Sequence, residues 1–135
     1  MTLKSLTACC MAVAALAAAL PAQAITDREK EQLALYQRFA GAQVDDMPFW
    51  HLQRYESLGD EAVVVWTGVN DAWLITVRPP CAELPWAKAI GLTSTLHRVS
   101  AKFDHVIAGR DRCMIASIQP IDYKALRAER KQKDR

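Results

Sequence analysis

The stretch from Asp60 to Cys81, DEAVVVWTGVNDAWLITVRPPC, constrains the fold more than any other part of the chain. Val63–Trp66 and Ala72–Val77 are rich in β-branched and aromatic residues, which fit a pleated surface. Thr67–Asp71 between them supplies the Gly and Asn that tight turns use. The pattern predicts a central β-hairpin. With the turn centred between Val69 and Asn70, Trp66 lies opposite Trp73, Val64 opposite Ile75 and Ala62 opposite Val77, while the other face pairs Val65 with Leu74 and Val63 with Thr76. A centre half a residue away pairs different residues, and a one-residue slip exchanges the faces of a strand. Both faces are apolar, so the hairpin is expected to be covered on both sides. A cross-strand pair contributes only about 0.2–1 kcal/mol, which leaves burial as the main stabiliser. Trp66 and Trp73 read first as core. Read functionally, with Asn70 in the turn, they are candidate binding residues, an aromatic platform for a sugar ring or a peptide.

The first 24 residues read as a secretory signal peptide. Lys4 gives a positive start, Leu6–Leu20 is apolar and Ala-rich, and Ala22-Gln23-Ala24 is an A-x-A cleavage site, so the exported chain is expected to begin at Ile25. The run is too short to span a bilayer comfortably. Leu6-Thr7-Ala8-Cys9 has the form of a lipoprotein box, but the apolar run follows it instead of preceding it, so soluble export to the periplasm is favoured over lipidation at Cys9. Cleavage leaves 111 of 135 residues, enough for one domain. Cys81 and Cys113 are then the remaining cysteines, and in an oxidising compartment they read as a disulfide. Their spacing is not C-x-x-C and no ligand cluster accompanies them, which argues against a redox pair or a metal site.

Along the exported chain, Thr26–Ala40 reads as an amphipathic helix. Thr26 and Glu29 form a capping box, Leu33, Leu35, Tyr36, Phe39 and Ala40 share a face, and Gly41 stands where a C-cap is expected. Gln43–Pro48 reads as a loop and Phe49–Glu56 as a strand. Arg78-Pro79-Pro80 ends the hairpin. Glu83–Ile90 is a short helix at most, and Thr95–Ser100 is extended. Phe103–Ile107 and Cys113–Ile118 form a second hairpin around Ala108–Arg112. Asp122 is placed to cap a final helix through Tyr123, Leu126 and Arg130, in a segment that leaves the core. The expected organisation is a signal peptide at 1–24, one domain at 25–121 and a basic helix or tail at 122–135. The fold class is α+β, an N-terminal helix on an antiparallel sheet or small open barrel of about five or six strands, with one disulfide.

Charge narrows the function. Residues 122–135 hold six Lys/Arg against three Asp/Glu, and the rest of the exported chain holds ten against twelve. Neither is the broad basic face of a nucleic-acid binder. The chain has no G-x-S-x-G elbow, phosphate-binding glycine loop or H-E-x-x-H. His97 and His105 on neighbouring strands, with Asp104, are the candidate set for a metal-dependent or hydrolytic site. Asp104 and His105 are adjacent, however, and point to opposite faces of a strand.

Several segments together resemble a family of small exported bacterial proteins of unknown function. They are Ala40-Gly41, Arg54-Tyr55-Glu56, Val64–Thr67, Asn70–Leu74, Cys81 with Leu84, Ile90–Ser94, Phe103–Val106, Arg112–Ile115 and Ile118–Asp122. The resemblance runs from about Gln32 to Leu126, with Trp73 where tyrosine is expected. It implies an envelope address, two structural cysteines and a single domain, and it carries no activity. The leading expectation is therefore a non-catalytic periplasmic domain that binds or supports an envelope component, protein or glycan, with no cofactor, nucleic acid or membrane span. The alternatives are a small envelope enzyme using His97, His105 and Asp104, or an inhibitor that inserts a loop such as Gly109–Arg112 into a periplasmic enzyme.

Overall fold

The computed structural model describes residues 26–135, and the segment read as a signal peptide lies outside the described residues. The helix α1 (Asp27–Arg38) begins with both halves of the capping box formed: Glu29 N–H donates to Thr26 Oγ1 at 3.3 Å and Thr26 N–H donates to Glu29 Oε2 at 2.8 Å. It ends at Phe39, short of the expected glycine cap. The chain is captured there instead, since Gly41 N–H donates to the Pro120 carbonyl at 2.8 Å and Phe39 accepts from Asp122 N–H at 2.9 Å.

Eight strands follow: β1 (Asp46–Pro48), β2 (Arg54–Ser57), β3 (Ala62–Trp66), β4 (Asp71–Val77), β5 (Ile90–Leu92), β6 (Arg98–Ser100), β7 (His105–Ala108) and β8 (Asp111–Asp122). A 3₁₀ turn (Leu84–Trp86) lies between β4 and β5, and α2 (Tyr123–Lys133) closes the chain. Six strands form a nearly closed antiparallel sheet in the order β2-β3-β4-β8-β7-β5, and β1 and β6 make a separate two-stranded ribbon. The expected α+β class, strand count and disulfide are all present.

The central hairpin forms with its centre moved by half a residue. Thr67 N–H donates to the Asp71 carbonyl at 3.0 Å and closes a loop with three residues between them. Trp66 therefore pairs with Ala72, Val65 with Trp73 and Val64 with Leu74. Because alternate residues face opposite sides, Trp66 and Trp73 point away from each other. Val63, Val65, Ile75 and Val77 enter one core cluster, and Ala62, Val64, Trp66, Ala72 and Leu74 enter the other. All five residues of β3 are buried, as a strand covered on both faces requires.

The strand β8 joins the two clusters. The register shifts by one residue where Thr76 pairs with Ser117 but Val77 pairs with Ile115, leaving Ala116 as a bulge. The extra residue keeps Cys113, Ile115 and Ile118 in the same cluster although 115 and 118 differ in parity. Ile121, three residues beyond Ile118, then faces the opposite cluster. Pro120 is tolerated because its carbonyl, and hence its missing N–H, points to the Gly41 side and not to β4.

Three corrections concern short elements. Gln43–Pro48 contains β1, whose Met47 lies fully buried opposite Val99, while Asp46 accepts from the Arg98 guanidinium and is held below the usual carboxylate range mainly by that bond. Of the expected Phe49–Glu56 strand only Arg54–Glu56 lies in a strand, β2, while Phe49 N–H and Gln53 N–H donate singly to the carbonyls of His97 and Trp66, both at 2.8 Å. The expected helix at 83–90 contracts to the 3₁₀ turn before β5, and this segment bridges the sheet's edges: Tyr55 and Ser57 of β2 donate to the carbonyls of Ala87 and Leu84 at 2.8 and 3.1 Å. Cys81 and Cys113 are bonded with their α-carbons 5.8 Å apart, which ties the end of β4 to the start of β8. Closing that loop contributes about 3–4 kcal/mol in the chain-entropy account.

The C-terminal segment does not leave the core. Asp122 caps α2 by accepting from Ala125 N–H at 3.1 Å, and Tyr123 and Leu126 pack with Tyr36, Trp66 and Ile121. Leu126→Ala, at a fully buried site, should lower unfolding free energy by about 2–5 kcal/mol, measured in urea. Lys133→Ala on the exposed end of the same helix should change it by less than about 0.5 kcal/mol.

Candidate functional site

Three adjoining, open clefts of about 350, 310 and 420 Å³ lie on the surface between β2, the β3–β4 loop and the start of α2. The site is built on the register of β2 and β3. Arg54 pairs with Trp66 across the strands, and its guanidinium lies 3.9 Å above the indole. Tyr36 and Tyr123 close on the same indole edge-on, with centroids at 6.2 and 5.3 Å. Because β8 runs directly into α2, Tyr123 falls beside Trp66, where its hydroxyl accepts from Arg54 Nη2. Four residues on, Arg127 lies on the same helix face. Its guanidinium is 5.9 Å from the Tyr123 ring centroid and donates to Asn70 Oδ1 at 3.2 Å.

Gln53, Arg54, Gly68, Val69, Tyr123 and Arg127 line the first cleft, and the Asp71 carboxylate lies against Gly68 at its edge. Asn70, Lys124, Arg127, Ala128 and Lys131 line the second, with no carboxylate among them. Asp71 and Asp122 border the third, together with Lys124. Among the described residues the ion pairs are Arg38–Glu129 and Arg98–Asp46, so neither Arg54 nor Arg127 has a carboxylate partner. Behind the site, Tyr36 donates to Glu56 Oε2 at 2.5 Å. Burial first, and then the bond to Glu56 and its charge, raise the Tyr36 hydroxyl well above its ordinary value, against a smaller opposing effect of Arg130. Trp66 Nε1 is buried without an acceptor.

A family model described as a family of unknown function, DUF6491, matches residues 2–135. The chain belongs to this family. The comparisons found no matching curated protein and no matching solved structure. The resemblance to a family of unknown function is thus borne out, and the residue roles in this DUF6491 chain rest on its own geometry.

The residues singled out by sequence are distributed unevenly. Trp66 is 2% exposed and its ring is enclosed by Arg54, Tyr36 and Tyr123. Trp73 is half-buried on the opposite face, with its Nε1–H donating to Thr67 Oγ1 at 3.2 Å. Asn70 lines two of the clefts. Arg54, Tyr123 and Arg127 were not singled out as site residues, because only the β8-to-α2 junction brings them together. The spacing of Tyr123 and Arg127 on one helix was the available signal.

His97, His105 and Asp104 do not form a set. Asp104 is buried and accepts from Ser100 N–H and the Thr93 hydroxyl, both at 2.7 Å, and so pins the segment before β7. His105 lies in β7 with Nδ1 buried and unpartnered. His97 is exposed in the Thr95–Arg98 turn, stacked on Trp50 at 3.8 Å between centroids. Among the described residues, the one group with metal-ligand spacing is Cys81, Asp111 and Cys113. Its sulfurs are joined in the disulfide, and Asp111 Oδ2 accepts from Glu83 N–H at 2.9 Å. The Gly109–Arg112 turn is also tied down. Glu83 accepts from Arg110 N–H at 2.5 Å, and Gly109, at φ +59°, leaves the room that this carboxylate fills.

The Tyr36 shift has a pH signature. A phenol whose pKa is raised in the fold contributes stability that is present below the unfolded value of 10.0 and is lost as pH rises above it. Urea midpoints should fall as pH rises past about 10, and Tyr36→Phe should remove part of that fall. Equal alkaline slopes for the two proteins would rule the effect out.

Proposed function

We propose that the chain is an exported periplasmic protein that binds an envelope component, protein or glycan, without transforming it. The observation that carries this reading is the set of clefts around Asn70, Tyr123 and Arg127. Arg and Tyr are enriched at recognition surfaces, and here Arg127, Tyr123 and Asn70 are held in place by stacking and hydrogen bonds, which reduces the entropy lost on binding. Export is supported by Lys4, the apolar run and the A-x-A site, and a disulfide suits an oxidising compartment. No helix among the described residues is long and apolar enough to cross a membrane.

Intact mass of protein from the periplasm tests the address. The expected species begins at Ile25 and shows two thiols only after reduction. A lipidated chain beginning at Cys9, or recovery from the cytoplasm alone, would overturn export. Capture from defined envelope fractions tests binding: retention of one component that elutes without chemical change supports the reading, and its conversion into a product replaces binding with catalysis.

A second reading, docking of a loop into a protein partner, draws support from a different turn than Gly109–Arg112. Thr95 and Arg98 exchange backbone hydrogen bonds, and the two residues between them, Leu96 and His97, have φ of 50° and 58°. Such turns favour Asn-Gly, and non-glycine residues held there store about 1–3 kcal/mol each. Leu96 is 89% exposed at the tip and Trp50 beneath His97 is 72% exposed. Replacing Leu96-His97 by Asn-Gly should raise stability by about 1–3 kcal/mol and abolish capture of a protein partner. Unchanged capture would remove this reading.

A further inference from the structure

We propose that Arg54 and Arg127 form a binding site for an oxyanion, a carboxylate or phosphate group borne by an envelope component. The inference rests on the binding reading above and names the chemistry that the first cleft takes.

Two guanidinium groups approach one aromatic residue from different elements, at 5.4 and 5.9 Å from the Tyr123 ring centroid. Like charges placed together repel unless an anion lies between them. In this molecule the Asp71 carboxylate lies against Gly68 at the edge of the cleft that both arginines share, yet neither arginine is in an ion pair with it or with any other carboxylate among the described residues. Each guanidinium has five N–H donors in a fixed fork. Among the described residues, Arg54 gives one to Tyr123 and Arg127 gives one to Asn70. The remaining donors are free to grip an oxyanion bidentately.

The arrangement favours arginine over lysine for a physical reason. Arg54 lies over the Trp66 ring, 3.9 Å from its centroid, and Arg127 is anchored by Asn70. Stacking uses the guanidinium face and leaves its edge, where the donors lie, for a ligand. Tyr123 adds a third group, since its oxygen accepts from Arg54 and its own proton remains to be donated. Val69, 72% exposed on the rim of the same cleft, offers an apolar surface to the carbon skeleton that carries the anion.

The test uses the exported chain with four probes at constant ionic strength. Inorganic phosphate and acetate separate the two anions. Phosphatidylglycerol vesicles and soluble peptidoglycan fragments, which carry carboxylates, separate the sources. The expected result is a saturable shift of the Arg54 and Arg127 side-chain resonances by at least one probe. Affinity should fall roughly tenfold to hundredfold in Arg127→Gln, the loss expected for a charge-assisted hydrogen bond. Arg54→Lys should weaken binding although it keeps the charge, and Arg112→Gln, remote from the cleft, should leave it unchanged. Arg127 is exposed on α2, so its variant stays folded even if loss of the Arg54 stack disturbs Trp66. Absence of any saturable shift, or equal affinity in Arg127→Gln, overturns the inference. Capture of an envelope component that is indifferent to both substitutions also overturns it, while the binding reading stands. Saturable binding of phosphate or acetate without any captured component leaves the oxyanion site standing and removes the broader reading.

Discussion

Two-sided pairing of β8 is the constraint on which the rest of the structure depends. One edge of this strand bonds to β4. Its other edge is shared in succession by β7, by Lys102 and Asp104, and by the chain after α1. A buried backbone group without a partner is expensive, so a strand with its edges this fully claimed fixes the position of every element along it. The bulge at Ala116 is the adjustment that makes the scheme work. Without the extra residue, Ile118 would turn away from Ile115 and Cys113, and one cluster would lose an isoleucine to the other face.

The same strand positions the cleft. It ends at Asp122, the cap of α2, so Tyr123 emerges at a defined place against Trp66. The β3–β4 loop supplies the opposing wall, and its three residues set Trp66 on the helix-covered face. Had the loop contained an even number of residues, Trp66 and Trp73 would have shared a face. The enclosed stack of Arg54, Trp66, Tyr123 and Tyr36 is thus a product of loop length as much as of residue type.

Much of the architecture was legible in the sequence because it rests on strong local signals. The capping box predicted the start of α1, the Val63–Trp66 run predicted a doubly covered strand, and Asp122 predicted the cap of α2. The cysteine pair was legible once export was inferred. What failed were features decided by tertiary contact. β1 has three residues and no periodicity, yet Met47 buries completely against Val99. The half-residue shift of the hairpin depends on a loop whose composition suits more than one length. The last segment looked polar because most of its surface is, and its two decisive residues, Tyr123 and Leu126, are too few to raise an average. Of the cleft, only Asn70 was legible. Arg54 and Arg127 are 73 positions apart in the chain, and no sequence spacing could join them before β8 brought α2 against β3.

If the cleft binds as proposed, this construction couples recognition to stability. Tyr123 and Leu126 lie on neighbouring turns of one helix and share the cluster that holds Trp66. Both arginine guanidinium groups also lie close to the Tyr123 ring centroid, at 5.4 and 5.9 Å. A rigid ring lowers the entropy cost of gripping a ligand, but that rigidity is borrowed from the core and not built locally. Loosening α2 would therefore move Arg127 and the Arg54 stack together, and a bound anion that bridges the two arginines would hold α2 against β2 and β3. On the proposed reading, ligand binding and docking of the C-terminal helix would be one equilibrium seen from two sides, and whatever stabilises the helix would tighten the cleft.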